Sequence, residues 1–405
     1  MVWERRHAIL GVLFATYLLC YMDRMVMASA LPFIAQDCHL SPSAQGAVLS
    51  AFFFGYTLMQ LPGGFVADRF GPTRVMTLSI AAWSCFTALT GLAGSLIAIL
   101  GIRFLFGLSE GPYPPAASKM VALWFPQHQI GRANGFQLAA VSIGAAIAPV
   151  FVAPLVIHWG WRPVFYTLLV PGLIVALTVR AVVRDLPTER RAGGNPARIH
   201  VATSGVALVL KTPAVLWCGV ALFFANVGGW GLMNWLPTYL LKARGFSIAA
   251  MGVGAALPSV AGAVGYYLGG HVADRYFNER RHLPIVCGLV LGGGMTYWAA
   301  VAPSGEWAIV ALVLAFLFLF GASAGLFTLP MLIVAKDSIG AAFGFVNTFG
   351  QVAAFLSPLL VGYVLNATQG QFTWVFYGFV GLFIVAACAA IQIRQTPLAG
   401  KAEIR

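Results

Sequence analysis

The chain has 405 residues, of which 60% are hydrophobic and only 9% are charged, and its mean hydropathy is +0.85. A soluble domain of this length needs far more charge on its surface, so the composition excludes a soluble protein. The formal net charge of +12 would suit a nucleic-acid-binding protein, but the basic residues flank apolar segments. We therefore expect no nucleic-acid partner, and we expect the lipid bilayer to be the partner of these charges.

Apolar runs of about 20 residues, the length that crosses a bilayer, occur about twelve times along the chain. The ninth and tenth runs are separated by only a few residues, so eleven or thirteen spans are alternatives. The first run is too long for a cleavable signal peptide, and none is expected. The predicted spanning helices are 8–35, 44–67, 75–95, 97–122, 131–155, 161–183, 213–241, 248–272, 283–303, 306–334, 339–365 and 372–394.

The distribution of Lys and Arg predicts the orientation of these spans. With an even number of spans, 19 of the 24 basic residues fall on the side of the two termini and three fall on the other side. The remaining two lie inside spans. Because positive residues accumulate on the cytoplasmic side, both termini are predicted in the cytoplasm, in a bacterial inner membrane.

A midpoint linker and an internal repeat predict two similar halves. The polar stretch from about 184 to 204 lies between the sixth and seventh spans, and GGFVADRF at 63–70 returns as GGHVADRY at 269–276. Parallel repeats of six spans are one known transporter design. We predict an all-α membrane protein with an N-terminal six-helix bundle, a cytoplasmic linker and a C-terminal six-helix bundle, at 1–183, 184–212 and 213–405.

Four charged residues lie inside predicted spans: Asp23, Arg24, Arg103 and Glu110. Each costs a few kcal/mol or more at the middle of a bilayer, so we expect them in a wet cavity. Arg103 and Glu110 are seven residues apart, which places them on one helix face about 10 Å apart. Asp23 and Arg24 point about 100° apart, so they cannot share one partner on their own helix. The alternative is a set of buried ion pairs that only fixes helix packing.

The loop Gly64-x-x-x-Asp68-Arg69-x-Gly71-x-x-Arg74 is echoed by Gly270-x-x-x-Asp274-Arg275. This pattern resembles the signature of the major facilitator superfamily, and the resemblance covers the whole chain. Glycines in this pattern allow close helix approach and a sharp turn, and the acidic residue can pair with a cation or cap a neighbouring helix. The alternative is a basic cytoplasmic loop with a solvated aspartate. The predicted gating residues are Gly64, Asp68, Arg69, Gly71 and Arg74, with the second-half copy Asp274 and Arg275.

Further residues look like the anion:cation symporter branch of that superfamily, which includes galactonate, glucarate and hexuronate transporters and sialin. They are Tyr21-Met-Asp23-Arg24 in the first span, and Arg103 and Glu110 before a proline-rich kink in the fourth. The resemblance implies alternating access and proton-driven uptake of a small organic anion such as a sugar acid. By that analogy Arg24 contacts substrate, Asp23 and Glu110 carry protons, and Arg103 sits beside Glu110.

The expected substrate-binding residues line a polar cavity shared by both halves. The fifth span reads Ala140-Val141-Ser142 where sugar-acid transporters often carry glutamine, and Gln137 lies about one turn away. Aromatic or short monocarboxylic acids are therefore an alternative substrate class. The full predicted set is Arg24, Tyr21, Tyr56, Gln137, Trp230, Asn234, Asn347 and Gln351.

The competing function is a proton-coupled antiporter that exports hydrophobic compounds or drugs, since it would use the same fold. A membrane enzyme would need a nucleophile or metal constellation, and the sequence shows neither. The six scattered cysteines include no CxxC pair and no metal-ligand spacing, so no metal and no disulfide are expected. We expect no cofactor beyond the proton as coupling ion, and a monomer.

Overall fold

The computed structural model describes residues 2–183, 212–277, 280–334 and 339–393, and every regular element in these parts is a helix. The segment Tyr239–Ala243 forms one π-helical turn that continues the helix Pro213–Thr238. In chain order the helices are α1 (Val2–Asp37), α2 (Pro42–Phe70), α3 (Pro72–Thr90), α4 (Leu96–Glu110), α5 (Tyr113–Trp124), α6 (Gln127–Trp159), α7 (Arg162–Thr167), α8 (Leu169–Val182), α9 (Pro213–Thr238), α10 (Ile248–Tyr276), α11 (His282–Val301), α12 (Gly305–Ile333), α13 (Ile339–Ala367) and α14 (Phe372–Ile391).

Helices occupy all of the predicted spans, and the predicted all-α membrane fold is confirmed. Over the described residues, ten helical segments are long and apolar enough to cross a membrane by length and composition. The segments at α2 and α3 are not among these ten. The exact number of twelve spanning helices therefore stays a prediction.

Proline breaks or bends several of these helices. The fourth predicted span is divided into α4 and α5 at Gly111 and Pro112, where the sequence predicts a kink. Pro237 lies just before the π-helical turn that ends the seventh span. A proline removes one backbone hydrogen bond and clashes with the preceding turn, so each break follows from the local sequence.

Close contacts at glycines draw α4 against α2 and α6 against α1. A Cβ atom on Gly107 would overlap the backbone of Phe52, and one on Gly144 would overlap the backbone of Leu18. Helices without side chains at their crossing approach until their backbones touch. These two crossings fix where the inward faces of α1, α2 and α4 meet, and that is where the buried charges lie.

The helices group by contacts into two units. The first unit contains α1 to α8 together with segments Asn234–Ala256 and Pro358–Asn366. In this unit, Gly46 of α2 packs against the Pro358 backbone of α13, so two halves of the sequence meet there.

The second unit contains α9 up to Met233, segment Leu257–Ser357 and α14. The two units are defined by contacts between residues, and the first unit includes segments from beyond residue 213. The predicted bundles at 1–183 and 213–405 therefore stay a prediction. The predicted linker at 184–212 lies almost entirely outside the described residues.

Candidate functional site

The four charged residues of the spans are all buried in the first unit. Asp23 and Arg24 lie in the middle of α1, and Arg103 and Glu110 lie on α4. Their exposed fractions are 1% for Asp23, 7% for Arg24, 1% for Arg103 and 0% for Glu110. All four side chains are therefore enclosed by the protein, and the wet cavity expected around them stays a prediction.

Arg24 and Glu110 form a direct ion pair. The Nε atom of Arg24 donates to Oε1 of Glu110 at 2.6 Å, and Nη2 of the same guanidinium contacts the same oxygen. The Cys20 thiol donates to that oxygen as well, at 3.1 Å. Oε2 of Glu110 has no hydrogen-bond partner within the described part of the chain. One carboxylate oxygen thus carries three contacts, and the other remains available to a proton.

Three aromatic rings enclose the guanidinium of Arg24. Its Cζ atom lies 4.7 Å from the ring centre of Tyr21, 4.8 Å from that of Phe52 and 4.5 Å from that of Tyr56. Ring faces attract a cation, and this attraction is stronger where water is excluded. The rings hold Arg24 without supplying a negative charge, so its charge is balanced only by Glu110 or by another anion.

Arg103 forms no ion pair with Glu110 among the described residues, and the position beside Glu110 that the resemblance implied stays a prediction. Its Nη2 atom donates to the Thr90 hydroxyl of α3 at 3.3 Å. Its Cζ atom lies 5.0 Å from the ring of Phe106 and 5.7 Å from that of Phe165. The physical reason is axial distance: two helical turns separate Arg103 from Glu110, and the near oxygen of Glu110 is already occupied by Arg24.

Asp23 is separate from the Arg24 pair. The charges of Glu110 and Arg103 act on its carboxyl group, and the Trp83 side chain of α3 also interacts with it. No ion pair within 4.0 Å joins Asp23 to a cation among the described residues. Arg24 pairs with Glu110, which lies on another helix, so the two neighbours share no partner on their own helix.

The other predicted substrate contacts fall in two places. Gln137 of α6 and Asn234 of α9 are buried in the first unit, with exposed fractions of 4% and 2%. Trp230, Asn347 and Gln351 are partly exposed and belong to the second unit. Their contact with substrate stays a prediction.

The predicted loop signature contains one member of an ion pair and the glycine of a tight turn. Asp68 pairs with Lys119 of α5, whose Nζ atom also donates to the Ala67 carbonyl at 3.2 Å. Gly71 has a φ of +86°, which permits the abrupt turn from α2 to α3. Arg69 and Arg74 are exposed. In the second copy, Asp274 pairs with Arg281 at 2.8 Å, and Arg275 is exposed.

The close helix approach in this motif occurs one residue earlier than the sequence argument placed it. A Cβ atom on Gly63 would lie 2.5 Å from the Cα atom of Pro112, whereas one on Gly64 meets nothing closer than 4.0 Å. The second copy behaves in the same way, since Gly269 packs against the backbone of Gly321 and Gly270 has open space around it. The first glycine of each repeat is the packing residue.

Several residues of the site were not predicted from the sequence: Cys20, Phe52, Trp83 and Thr90. Cys20 precedes Arg24 by four residues and so lies on the same helix face, which was a usable signal. The aromatic run that includes Phe52 precedes Tyr56 by one helical turn. Trp83 and Thr90 lie seven residues apart on α3, and this spacing is the only sign of them in the sequence.

Residues 13–358 match the Major Facilitator Superfamily. The chain belongs to the Major Facilitator Superfamily. It is 33% identical to a probable sulfoacetate transporter of Cupriavidus necator, over 96% of this chain and 94% of that one. It is 27% identical to a hexuronate transporter of Bacillus subtilis, again over 96% and 94%.

A solved bacterial homologue of the human lysosomal transporter Spinster, in an inward-facing and occupied conformation, has the same fold. Its TM-score is 0.81 with 21% sequence identity, over 95% of each chain. This Major Facilitator Superfamily protein is a multi-pass membrane transporter rather than an enzyme.

Proposed function

We propose that the protein is a proton-coupled symporter that takes up a small organic anion by alternating access. The observation that carries this proposal is the buried pair of Arg24 and Glu110 inside an aromatic enclosure. The relatives named as sulfoacetate and hexuronate transporters support the substrate class, because sulfoacetate and hexuronate carry acid groups that a guanidinium binds well.

The coupling follows from the charge balance of this pair. A buried guanidinium is unfavourable without partners, and the three rings around Arg24 supply no negative charge, so Arg24 favours contact with an anionic group. When Glu110 is ionised, it supplies that group and competes with substrate. When Glu110 takes a proton, its charge disappears and Arg24 is released to the carboxylate or sulfonate of the substrate. Proton binding and anion binding at neighbouring positions therefore favour each other.

The rest of the cycle uses the other predicted residues. Asp23 is the second proton-carrying group, and Gln137, Asn234, Trp230, Asn347 and Gln351 contact the body of the substrate. The loops at Asp68 and Asp274 make and break their ion pairs as the helices rearrange. The protein works as a monomer in the bacterial inner membrane with both termini in the cytoplasm.

Uptake into proteoliposomes tests this proposal. With an acidic exterior and a neutral lumen, the wild-type protein is expected to accumulate one or more of sulfoacetate, glucuronate and glucarate above the external concentration. Glu110→Gln is expected to lose this accumulation while it still exchanges internal for external substrate. Glu306→Gln is the matched control, because Glu306 is an exposed acid at the start of α12.

Two results would overturn the proposal. If Glu110→Gln still concentrates substrate, Glu110 does not couple protons to transport. If the gradient drives hydrophobic compounds out of the lumen and no acid enters, the protein is the exporting antiporter instead.

A further inference from the structure

Helix α3 presents a polar face to the buried charges that the mechanism above does not use. Trp83, Thr87 and Thr90 follow one another at intervals of four and three residues, which is the spacing of one helix face. All three are buried, with exposed fractions of 0%, 1% and 1%. Buried polar side chains normally have hydrogen-bond partners, so a buried polar group without one calls for an explanation.

Thr90 is oriented to accept a hydrogen bond from Arg103. Its hydroxyl donates to the Phe86 carbonyl at 3.0 Å, so its proton is fixed and its lone pairs point away from α3. Arg103 donates to that oxygen with Nη2. Phe106 and Phe165 flank the same guanidinium. Thr90 and the two rings hold Arg103 in one place.

Asp23 and Arg103 act on each other electrostatically, but no ion pair joins them among the described residues. Oδ1 of Asp23 and Nε of Arg103 are both buried without a hydrogen-bond partner in the part of the chain that the structure describes. The indole Nε1 of Trp83 lies near Asp23 without reaching hydrogen-bond geometry. A buried acid and a buried base that do not pair are unusual, because each would gain by closing the gap.

We propose that Thr90 is a positioning residue of the transport site, which holds Arg103 away from Asp23, and that Trp83 orients the Asp23 carboxyl from the same helix. Asp23 can then accept a proton while it is in no ion pair, whereas Glu110 is paired with Arg24. The charged groups acting on Asp23 among the described residues are Glu110 and Arg103, both from α4. The titratable Cys20 thiol on α1 also interacts with Asp23, and over the described ranges no charged group comes from α2, α5, α6 or α8, which pack against α1 as well. This inference deepens the proposed function and rests on it for its transport readout.

Thr90→Val and Thr90→Ser separate positioning from packing. Valine has the shape of threonine without the acceptor, and serine keeps the acceptor. Thr90→Val is expected to let Arg103 approach Asp23, which favours the ionised form of Asp23. The pH profile of uptake is then expected to shift by about one pH unit toward acid, which corresponds to about a tenfold higher proton concentration. Thr90→Ser is expected to keep the wild-type pH profile.

Thr77→Val is the matched control for this comparison. Thr77 lies on the same helix and its hydroxyl donates to the Thr73 carbonyl at 2.8 Å, so valine there removes the same kind of local bond. Its pH profile is expected to match the wild type. A profile displaced equally in Thr77→Val and Thr90→Val would mean that both act only through the stability of α3, and would overturn the proposal.

An infrared pH titration of the purified protein tests the inference without any substrate. The protonated carboxyl band of Asp23 is assigned by its loss in Asp23→Asn, and its midpoint is expected to move toward acid in Thr90→Val. Trp83→Phe removes the indole donor and is expected to move the midpoint the other way, which keeps the test decisive if Thr90→Val fails to fold. Unchanged midpoints in both variants would overturn the inference. Absence of gradient-driven uptake by the wild type would overturn only the proposed function.

Discussion

Arg24 contacts Glu110 through Nε and Nη2, and both nitrogens meet the single oxygen Oε1. A side-by-side arginine–carboxylate pair would use both oxygens. Here Oε2 has no partner within the described residues, so a proton can add to Glu110 without displacing Arg24 first. This geometry explains how protonated Glu110 can give up its place as the anionic partner of Arg24 to a transported anion.

Arg24→Lys keeps the charge but loses the planar fork and the stacking against three rings. Lysine presents a single compact ammonium, so it cannot reproduce the two N–H contacts. We expect substrate affinity to fall by about 10- to 100-fold, the loss for one or two hydrogen bonds to a charged group. The measurement is the half-saturating concentration for uptake. Arg180→Lys, at an exposed position near the end of α8, is the control and should change nothing. Equal affinities in the two variants would refute the role of Arg24.

Cys20 holds Glu110 in its paired position, since its thiol donates to the oxygen that Arg24 contacts. Cys20→Ala should loosen that position and let substrate compete more easily, lowering the half-saturating concentration about 2- to 10-fold. Cys20→Ser, which keeps a donor, should stay near the wild type. Cys218→Ala makes the same change in size at another buried cysteine and serves as the control. The prediction is wrong if alanine and serine at position 20 give the same value.

Gly63 and Gly64 are adjacent but should respond differently to alanine. Replacing glycine by alanine raises the intrinsic helix propensity equally at both positions. The difference between the two changes in unfolding free energy therefore reports the packing at each position. Gly63→Ala forces α2 away from Pro112 and is expected to lower the free energy of unfolding by about 1–3 kcal/mol, while Gly64→Ala is tolerated. Thermal unfolding in detergent measures both. Gly269→Ala and Gly270→Ala should repeat the contrast in the second copy, and a larger loss at Gly64 would contradict the assignment.

Gly46→Leu should prevent the close crossing of α2 and α13. A Cβ atom at this position would overlap the Pro358 carbonyl, and Gly362 lies next to it on the same helix. We expect uptake to be abolished, because no rotamer of leucine removes a clash that begins at Cβ. Gly101→Leu, at an exposed position with nothing within 4 Å, is the matched control and should retain uptake. Wild-type uptake by Gly46→Leu would show that this crossing is not needed during transport.

Much of the fold was predictable because membrane helices are encoded locally. The predicted spans depend on runs of apolar residues, and the kink after Glu110 depends on nearby prolines. The inward direction of the four charges was also predictable, since an unpaired charge facing lipid is too unfavourable. Partners on another helix were not predictable in this way, as the hydrogen bond from Arg103 to Thr90 shows.

The sequence by itself determined that the four charges must point into the protein and that Asp23 and Arg24 cannot share one partner on their own helix. Only the tertiary structure decided that Arg24 pairs with Glu110, that Arg103 turns to Thr90, and that Gly63 rather than Gly64 is the packing residue. Helical periodicity fixes the direction of a side chain around its own axis. Its partner depends on the rotation and axial offset of a second helix, and those are set by backbone contacts such as Gly107 with Phe52, which no single helix encodes.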